Sequence, residues 1–592
     1  MENKSGFDRM QFIGLLLIGA VFFWFSYSSS SDSEQPQETP TEQVSDSTRV
    51  VNQPAASDTN AVVVAGGDST EKVVQVEEFY TIENDLIKME ISNLGAQITQ
   101  VQLKEYQTWD STELYLVNEG NQKLSFELGD WSTKEVFFEI SERTATSLAL
   151  SATGPNGPFT VRWALTPGEY QTEFSVKGQS AGRNPLVLNW EQSTIKHEKS
   201  RTLENQKTQI SYWEIEDGER EDLSETTADS ESASNIRWVA HQEQFFSTII
   251  TAQGRFDSAS MASFAFDGGP YIKDLKSRIF IQEVDGNFGV NMNMYLGPNK
   301  YDILKQYNLG YDKIIDFGWG IFGWISRGVV VKVFNWLDSY GLNYGLIIFL
   351  MAFGIKFILS PLTFSSYRSM AKMRVLKPEI DELNEKYKDE DPMKKQQAMM
   401  DLYRKAGVNP LGGCIPQLVQ LPILFAMFRF FPASIELRQE SFWWATDLST
   451  YDVIARLPFE IPFYGDHVSL FTILMAISTF MYSYMNQQMT GSQNSQMPAL
   501  KYIVYIMPFM LLFFFNSYPA ALSYYYLISN LLTFGQQFAI RRFIDEDALH
   551  AKLQENKTKP KKESKFQKRL NKAMEDQKDQ PGTNRRVRRM NK

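Results

Sequence analysis

One cysteine, Cys414, serves 592 residues, so no intrachain disulfide can hold any part of the fold. A large domain outside the cytoplasm would have to be held by its core alone. Histidine is also scarce: there are four (His197, His241, His467, His550), and none lies in a long apolar run. Those runs also lack Asp and Glu. A proton-coupled transporter needs a titrating carboxylate or imidazole in the membrane, so the sequence argues against that class. No H-E-x-x-H, C-x-x-C or phosphate-loop pattern occurs, and no metal or cofactor is expected. GQSAG at 178–182 fits the nucleophile-elbow pattern. It joins two β-like runs rather than a strand and a helix, so it reads as a chance match.

What the chain does have is length, aromatic residues and membrane-length apolar runs. Its length exceeds one hydrophobic core, so several domains are expected. Aromatic content is 14%, with 42 Phe and 26 Tyr, which suits membrane spans with interfacial belts. Gln11–Tyr27 is apolar, follows Lys4 and Arg9, and has no small-residue cleavage site after it. Two readings fit residues 1–27, a cleaved signal peptide or an uncleaved anchor span, and the anchor is favoured. Residues 28–72 are polar, acidic and aperiodic, the signature of a disordered linker.

From 73 to 312 the pattern turns to short alternating runs such as LIKMEIS, FTVRWALTP and SRIFIQEV. Turn signals at Pro155–Gly157 and Asp285–Gly286 separate them, and an all-β sandwich is predicted. Ser224–Ser234 reads as a polar loop within it. Residues 313–340 mix Trp319, Trp324 and Trp336 with Arg327, Lys332 and Asp338. Two readings fit: a helix lying in the membrane interface, which is favoured, or a packed bridging helix.

Five spans follow within 341–540, at about 341–363, 411–431, 470–488, 500–515 and 520–540. The predicted fold class is thus an α-helical membrane protein of six spans, five of them forming a core, plus a large all-β sandwich. Residues 367–408 between the first two core spans read as a helical hairpin. Leu376, Ile380, Leu383 and Tyr387 recur at helical spacing, Asp391-Pro392 starts a second helix, and Gly407 ends it. With mixed charge and little apolar stripe, the hairpin is expected to be exposed and mobile.

Net charge is −11, unevenly spread. From Arg541 to Lys592 there are 17 Lys and Arg against 8 Asp and Glu. The hairpin carries ten basic residues between Arg368 and Lys405, whereas the loop Pro432–His467 has only Arg438 and Arg456. The positive-inside rule puts the hairpin, the 541–592 tail and both termini in the cytoplasm, and the β domain across the membrane. A basic tail beside a membrane suits anionic lipid or RNA.

Lys356 sits inside the apolar run Gly341–Leu362. A charge at the centre of a span costs roughly 2.5–3.5 kcal/mol on insertion scales. Snorkelling is one way out, but Lys356 lies about 10 Å short of the span end near Thr363, a little beyond its stem. The other is an inward, water-containing cavity. Polar residues line up on the neighbouring spans: Ser360 and Thr363 after Lys356; Gln417 and Gln420; Ser478, Tyr482 and Met485; Tyr526, Asn530, Thr533 and Gln537. Facing lipid would be unfavourable, so these stripes should converge, through ordinary interhelical hydrogen bonds or around a cavity.

NPLGGCIPQLVQLPILFAMF (409–428), SMAKMRVLKPEI (369–380), SIELRQ (434–439) and YPAALSYYYLISNLLTFGQQ (518–537) closely resemble the YidC-type membrane protein insertases. The resemblance covers the whole chain and looks like the Gram-negative bacterial form, an inner-membrane protein with its large domain in the periplasm. It implies an insertase and chaperone for nascent membrane proteins, working alone or with the Sec translocon, and not an enzyme. A hydrophilic groove with one positive residue would attract a client's acidic N-terminal stretch. Carried onto this chain, the groove would use Lys356, Ser360, Gln417, Gln420, Phe428, Tyr482, Tyr526, Asn530 and Thr533. Better-known members carry arginine at the Lys356 position, so a bidentate fork is replaced by a point charge. Phe428 and Arg429 stand where tyrosines are common in the family. Arg429 is either an added groove charge or an interfacial anchor.

The tail resembles the family's ribosome-binding extensions. Lys561, Lys562, Lys565, Lys568, Arg569, Arg585, Arg586, Arg588 and Arg589 suit rRNA phosphates, with anionic lipid as the competing partner. A monomer is the working expectation. Two other classes stay open at this level: a small-solute transporter or channel, and an anchored carbohydrate-binding protein built on the sandwich.

Overall fold

The computed structural model describes residues 75–558, apart from 267, 389, 391, 409, 414, 463 and 491–497. The expected anchor span, acidic linker and basic tail residues 561–589 lie outside the described residues, as does Cys414.

Alternation of apolar and polar residues builds the β domain. In strand β9 (Gly157–Leu165), Phe159, Val161, Trp163 and Leu165 are buried and their neighbours are less so, the period of two that puts one face on a core. Trp163 stacks on Phe174 at 3.8 Å between ring centres. A four-stranded antiparallel sheet has the order β1-β2-β3-β4 (Phe79–Glu83, Ile87–Ser92, Ile98–Gln107, Glu113–Val117). A larger sheet of eleven strands runs from β12 (Glu219–Asp222) to β7 (Glu139–Arg143), with β10 (Gln171–Ile195) and β15 (Tyr271–Pro298) paired at its centre.

Pro155–Asn156 forms the expected hairpin turn between β8 (Ser147–Gly154) and β9. Two expectations differ. Asp285-Gly286 is no turn: β15 continues through it, with Gly286 at φ +59° opposite a register shift between Ser180 and Asn184. Glycine supplies a kink there rather than a reversal. GQSAG at 178–182 lies at the same irregularity inside β10, far from an elbow's geometry. The polar stretch 224–234 is half strand, since β13 (Asp229–Gln242) begins at Asp229 and pairs with β14 (Phe246–Ala265). The Ser232 and Ser260 hydroxyls lie 2.9 Å apart on its exposed face. Two-sided ladder bonding overrides polar composition where one face is solvated.

Gly310 has φ +81°, and an added Cβ would come within 2.5 Å of the Trp213 ring. Gly310→Ala should therefore destabilise the β domain by about 1–3 kcal/mol through overpacking, with backbone strain added; chemical denaturation of the protein measures it.

Twelve α-helices are described. Helix α1 is Arg201–Lys207 and α2 is Tyr301–Gln306. Helices α3 (Gly320–Ile325) and α4 (Val331–Asp338) are joined by a π turn at Ser326–Val330. Next come α5 (Tyr344–Val375), α6 (Lys377–Lys386), α7 (Pro392–Ala406) and α8 (Ile415–Ala433). The last four are α9 (Leu470–Thr490), α10 (Pro498–Phe515), α11 (Ala520–Phe543) and α12 (Glu546–Thr558). By length and composition α5 and α8 are long and apolar enough to cross a membrane; Leu470–Asn486 and Ile506–Phe515 are shorter apolar stretches. Helix α5 outruns the expected span end and continues to Val375 without a break.

The chain forms two compact units. One takes the chain up to Ile355 with Gln420–Met481 and Gln496–Leu531; the other is Lys356–Val419, Tyr482–Ser495 and Leu532–Lys592. In the second unit the hairpin departs from expectation. Tyr367, Met370, Met373, Leu376, Ile380, Tyr403, Ala406 and Val408 form a buried cluster with Leu553 of α12. The hairpin's own stripe is narrow, and α12 supplies what it lacks.

Candidate intramembrane groove

Lys356 is 7% exposed, while Phe357 and Ile358 beside it are 70% and 76% exposed. At this point of α5 two apolar side chains face outward and the cation faces inward, the inversion expected of a helix solvated by lipid. A snorkelling lysine would carry its head to the surface, so burial favours the inward reading.

Ser360 donates to the Lys356 carbonyl at 2.9 Å, and Gln536 of α11 donates to the same carbonyl at 2.8 Å and to the Ser360 hydroxyl at 3.0 Å. The structure thus brings Lys356 and Ser360 together with Gln536, which the spacing argument missed. The predicted stripe chose Gln537, one residue on. Gln537 is fully buried, and its amide has no hydrogen-bond partner among the described residues. The predicted stripe keeps one helical phase and its Gln537 is buried as expected, whereas Gln536, about 100° round the helix, is the member that faces Lys356 and Ser360. Thr363 turns back onto its own helix, donating to the Leu359 carbonyl at 3.0 Å. In the same unit Tyr482 donates to Gln417 at 3.1 Å, and Thr533 is buried.

The remaining predicted residues belong to the other unit. Asn530 of α11 donates to Ser478 and Thr479 of α9, each at 3.0 Å. Gln420 lies on α8 and is half-buried. Phe428 packs in an aromatic cluster, 5.4 Å from Tyr518 and 6.1 Å from Phe515, whose ring lies 5.7 Å from Tyr526.

Arg429 is paired: it donates to Asp316 at 2.6 Å. Burial opposes the Asp316 charge, but Arg429, Lys207, the Gly318 amide and Arg220 together outweigh it and hold the carboxyl below its usual range. This ion pair ties α8 to the segment leading into α3. Val330, Val331, Phe334 and Leu337 bury one face of that amphipathic segment, where Phe334 meets Phe430 at 5.1 Å. Trp319 and Trp324 stay exposed at 68% and 67%, as a helix in a headgroup layer would present them.

The loop after α8 is tied to the β domain. Arg438 donates to Glu198 at 2.8 Å, both deeply buried, and its guanidinium lies 5.3 Å from the Phe246 ring centre. Gln439 donates to the Thr108 carbonyl at 2.7 Å, and Lys199 to the Tyr451 carbonyl at 3.0 Å. Next to Glu198, His197 pairs with Glu243 at 2.7 Å. Burial disfavours the imidazolium, but Glu243 outweighs it and pushes the His197 pKa to about 9. A pKa raised in the fold stabilises fully below the unfolded value near 6.5, and that stability is lost as pH rises through about 9. Burial also lifts Glu204 to about 8, which acts in the same direction from below. The protein should therefore melt several degrees lower at pH 9.5 than at pH 6.5, and His197→Phe should flatten the difference; scanning calorimetry at the two pH values tests this.

Comparison with known proteins converges on one family. Residues 80–331 match the model described as YidC periplasmic domain, and 336–547 match 60Kd inner membrane protein. Proteins named membrane protein insertase YidC align over nearly their whole length. The one from Parabacteroides distasonis is 36% identical over 97% of this chain and 98% of its own. That from Bacteroides fragilis is 35% identical over 97% and 98%, and that from Porphyromonas gingivalis 34% over 96% and 98%. Among solved structures, a galactose mutarotase-like protein from Lactobacillus casei covers 37% of this chain at 12% identity and TM-score 0.27, a likeness too slight to bear on ligand or activity. With both family models matching in tandem and full-length relatives above 30% identity, the chain belongs to the YidC family of inner-membrane proteins.

Proposed function

We propose that this chain inserts membrane proteins through a groove whose working charge is Lys356. The observation that carries the proposal is a buried lysine whose two apolar successors on the helix, Phe357 and Ile358, face outward. A membrane protein insertase is the activity named for the relatives. A client's acidic N-terminal stretch is drawn to the ammonium, and polar groups such as Ser360, Gln536, Gln417 and Tyr482 hydrate it in place of bulk water. Thr533 extends that lining, and Gln420, Phe428, Tyr526 and Asn530 are further client-contacting residues, used as the client's apolar segment passes into lipid. The exposed tryptophans of α3 seat the protein at the interface. The β domain lies in the periplasm, with the hairpin and tail in the cytoplasm. Nascent membrane proteins are the clients, received alone or from the Sec translocon, and the same groove serves as a chaperone. The basic tail holds the ribosome through rRNA phosphates, with anionic lipid as a weaker partner.

The purified full chain in liposomes should insert a single-span client with an acidic N-terminal tail, read by protease protection. Absence of insertion by folded protein would sink the proposal. Truncation after Thr558 should remove most ribosome co-sedimentation at low salt and leave insertion of this ribosome-free client near its full rate.

A further inference from the structure

Helix α12 lies on the hairpin as a cover. Only two of its described side chains, Leu549 and Leu553, are buried, and Leu553 is 1% exposed. They are four residues apart, one helical face. A side-chain hydrogen bond crosses the contact from Gln554 to Glu379 of α6, at 2.7 Å. Ala548, His550, Ala551 and Lys552 face outward.

The seat beneath α12 is walled by Met370, Met373 and the partly buried Met399, with Leu376, Ile380 and Tyr403. Unbranched thioethers reshape easily and suit a surface that must accept apolar helices of different outline. The seat is also imperfectly filled: the Tyr403 hydroxyl is buried with no hydrogen-bond partner among the described residues. A buried unpaired hydroxyl is a cost of the covered state, which weakens the hold on α12. Beyond Thr558 the sequence is strongly basic, with 13 Lys and Arg against 4 Asp and Glu. Any polyanion gripping it would pull on α12 directly.

We propose that α12 is a displaceable cover over a methionine-walled seat on the hairpin, and that the uncovered seat binds an apolar α-helix of an incoming client in place of the leucine, Leu553, that α12 now seats there. A helix that presents a leucine face is the occupant the seat is already built to take. The proposal rests on the insertase reading only for the identity of that occupant.

The test uses the full chain in lipid nanodiscs with a photo-cross-linking residue at position 399. The probe is a fluorescent 20-residue leucine–alanine helical peptide. Wild type should label its own tail. In L549K/L553K tail labelling should fall and peptide labelling rise several-fold, and adding Met373→Glu should abolish the rise. L549A/L553A, a milder pair, should give a smaller shift in the same direction. Loss of tail labelling without any gain of peptide would overturn the seat, and unchanged tail labelling in both pairs would overturn the cover. Client insertion by wild type, run in parallel, separates the readings. Insertion without peptide capture sinks the seat alone, whereas no insertion sinks the insertase reading whatever the peptide does.

Discussion

Lys356→Ala slows insertion of a client with an acidic N-terminal tail by roughly thirty- to a thousandfold, while Lys356→Arg keeps most of the rate. The size follows from Coulomb's law. A unit charge pair at about 4–8 Å in an effective dielectric near 20 interacts by about 2–4 kcal/mol, and each 1.36 kcal/mol is a factor of ten. Arginine retains the charge and adds a fork, so a point-charge mechanism tolerates it. Initial rates of protease protection in liposomes, with clients carrying two, one or no acidic residues, give the measurement. The alanine defect should shrink as client charge is removed. A full rate in the alanine variant with the acidic client would leave the groove to its polar lining and remove Lys356 from the mechanism.

Arg438→Met should cost about 3–5 kcal/mol, because it strands Glu198 as a buried carboxylate without its partner. Burial already pushes the Glu198 pKa up, against the opposing pull of Arg438. The double variant Arg438→Met/Glu198→Leu removes both charges and should recover most of the loss, since apolar replacement of a whole buried pair is often neutral. Urea unfolding followed by tryptophan fluorescence reads the difference, with Trp163, Trp190 and Trp238 in the β-domain core as reporters. If the single and double variants are equally unstable, packing of the stem against Phe246 matters more than the ion pair.

Both predictions involve buried charge, and the two sites differ in how visible they are in sequence. Lys356 stands out because an ammonium inside an apolar run is costly wherever the helix goes, so its local context alone marks it. Arg438 and Glu198 lie 240 positions apart, and nothing near either announces the other. The hairpin shows the same limit. Its helices were legible from Leu376, Ile380 and the Asp391-Pro392 start, but their burial was not, because Leu553 reaches them from the far end of the chain. Gln536 was hidden differently: helical phase decides between two adjacent glutamines, and a one-residue error turns a side chain by about 100°.

Strand alternation, the apolar runs of the core helices and the charge asymmetry are local or additive properties, so the sandwich, the helical core and Lys356 as its outlying charge are legible from residue order alone. Merging of short runs into β10 and β15, the pairing of Arg429 with Asp316, the tie between Arg438 and Glu198, and the seating of α12 on the hairpin are decided only by tertiary structure. Each depends on which distant surfaces meet, and a contact's energy exists only once both partners have been taken out of solvent together.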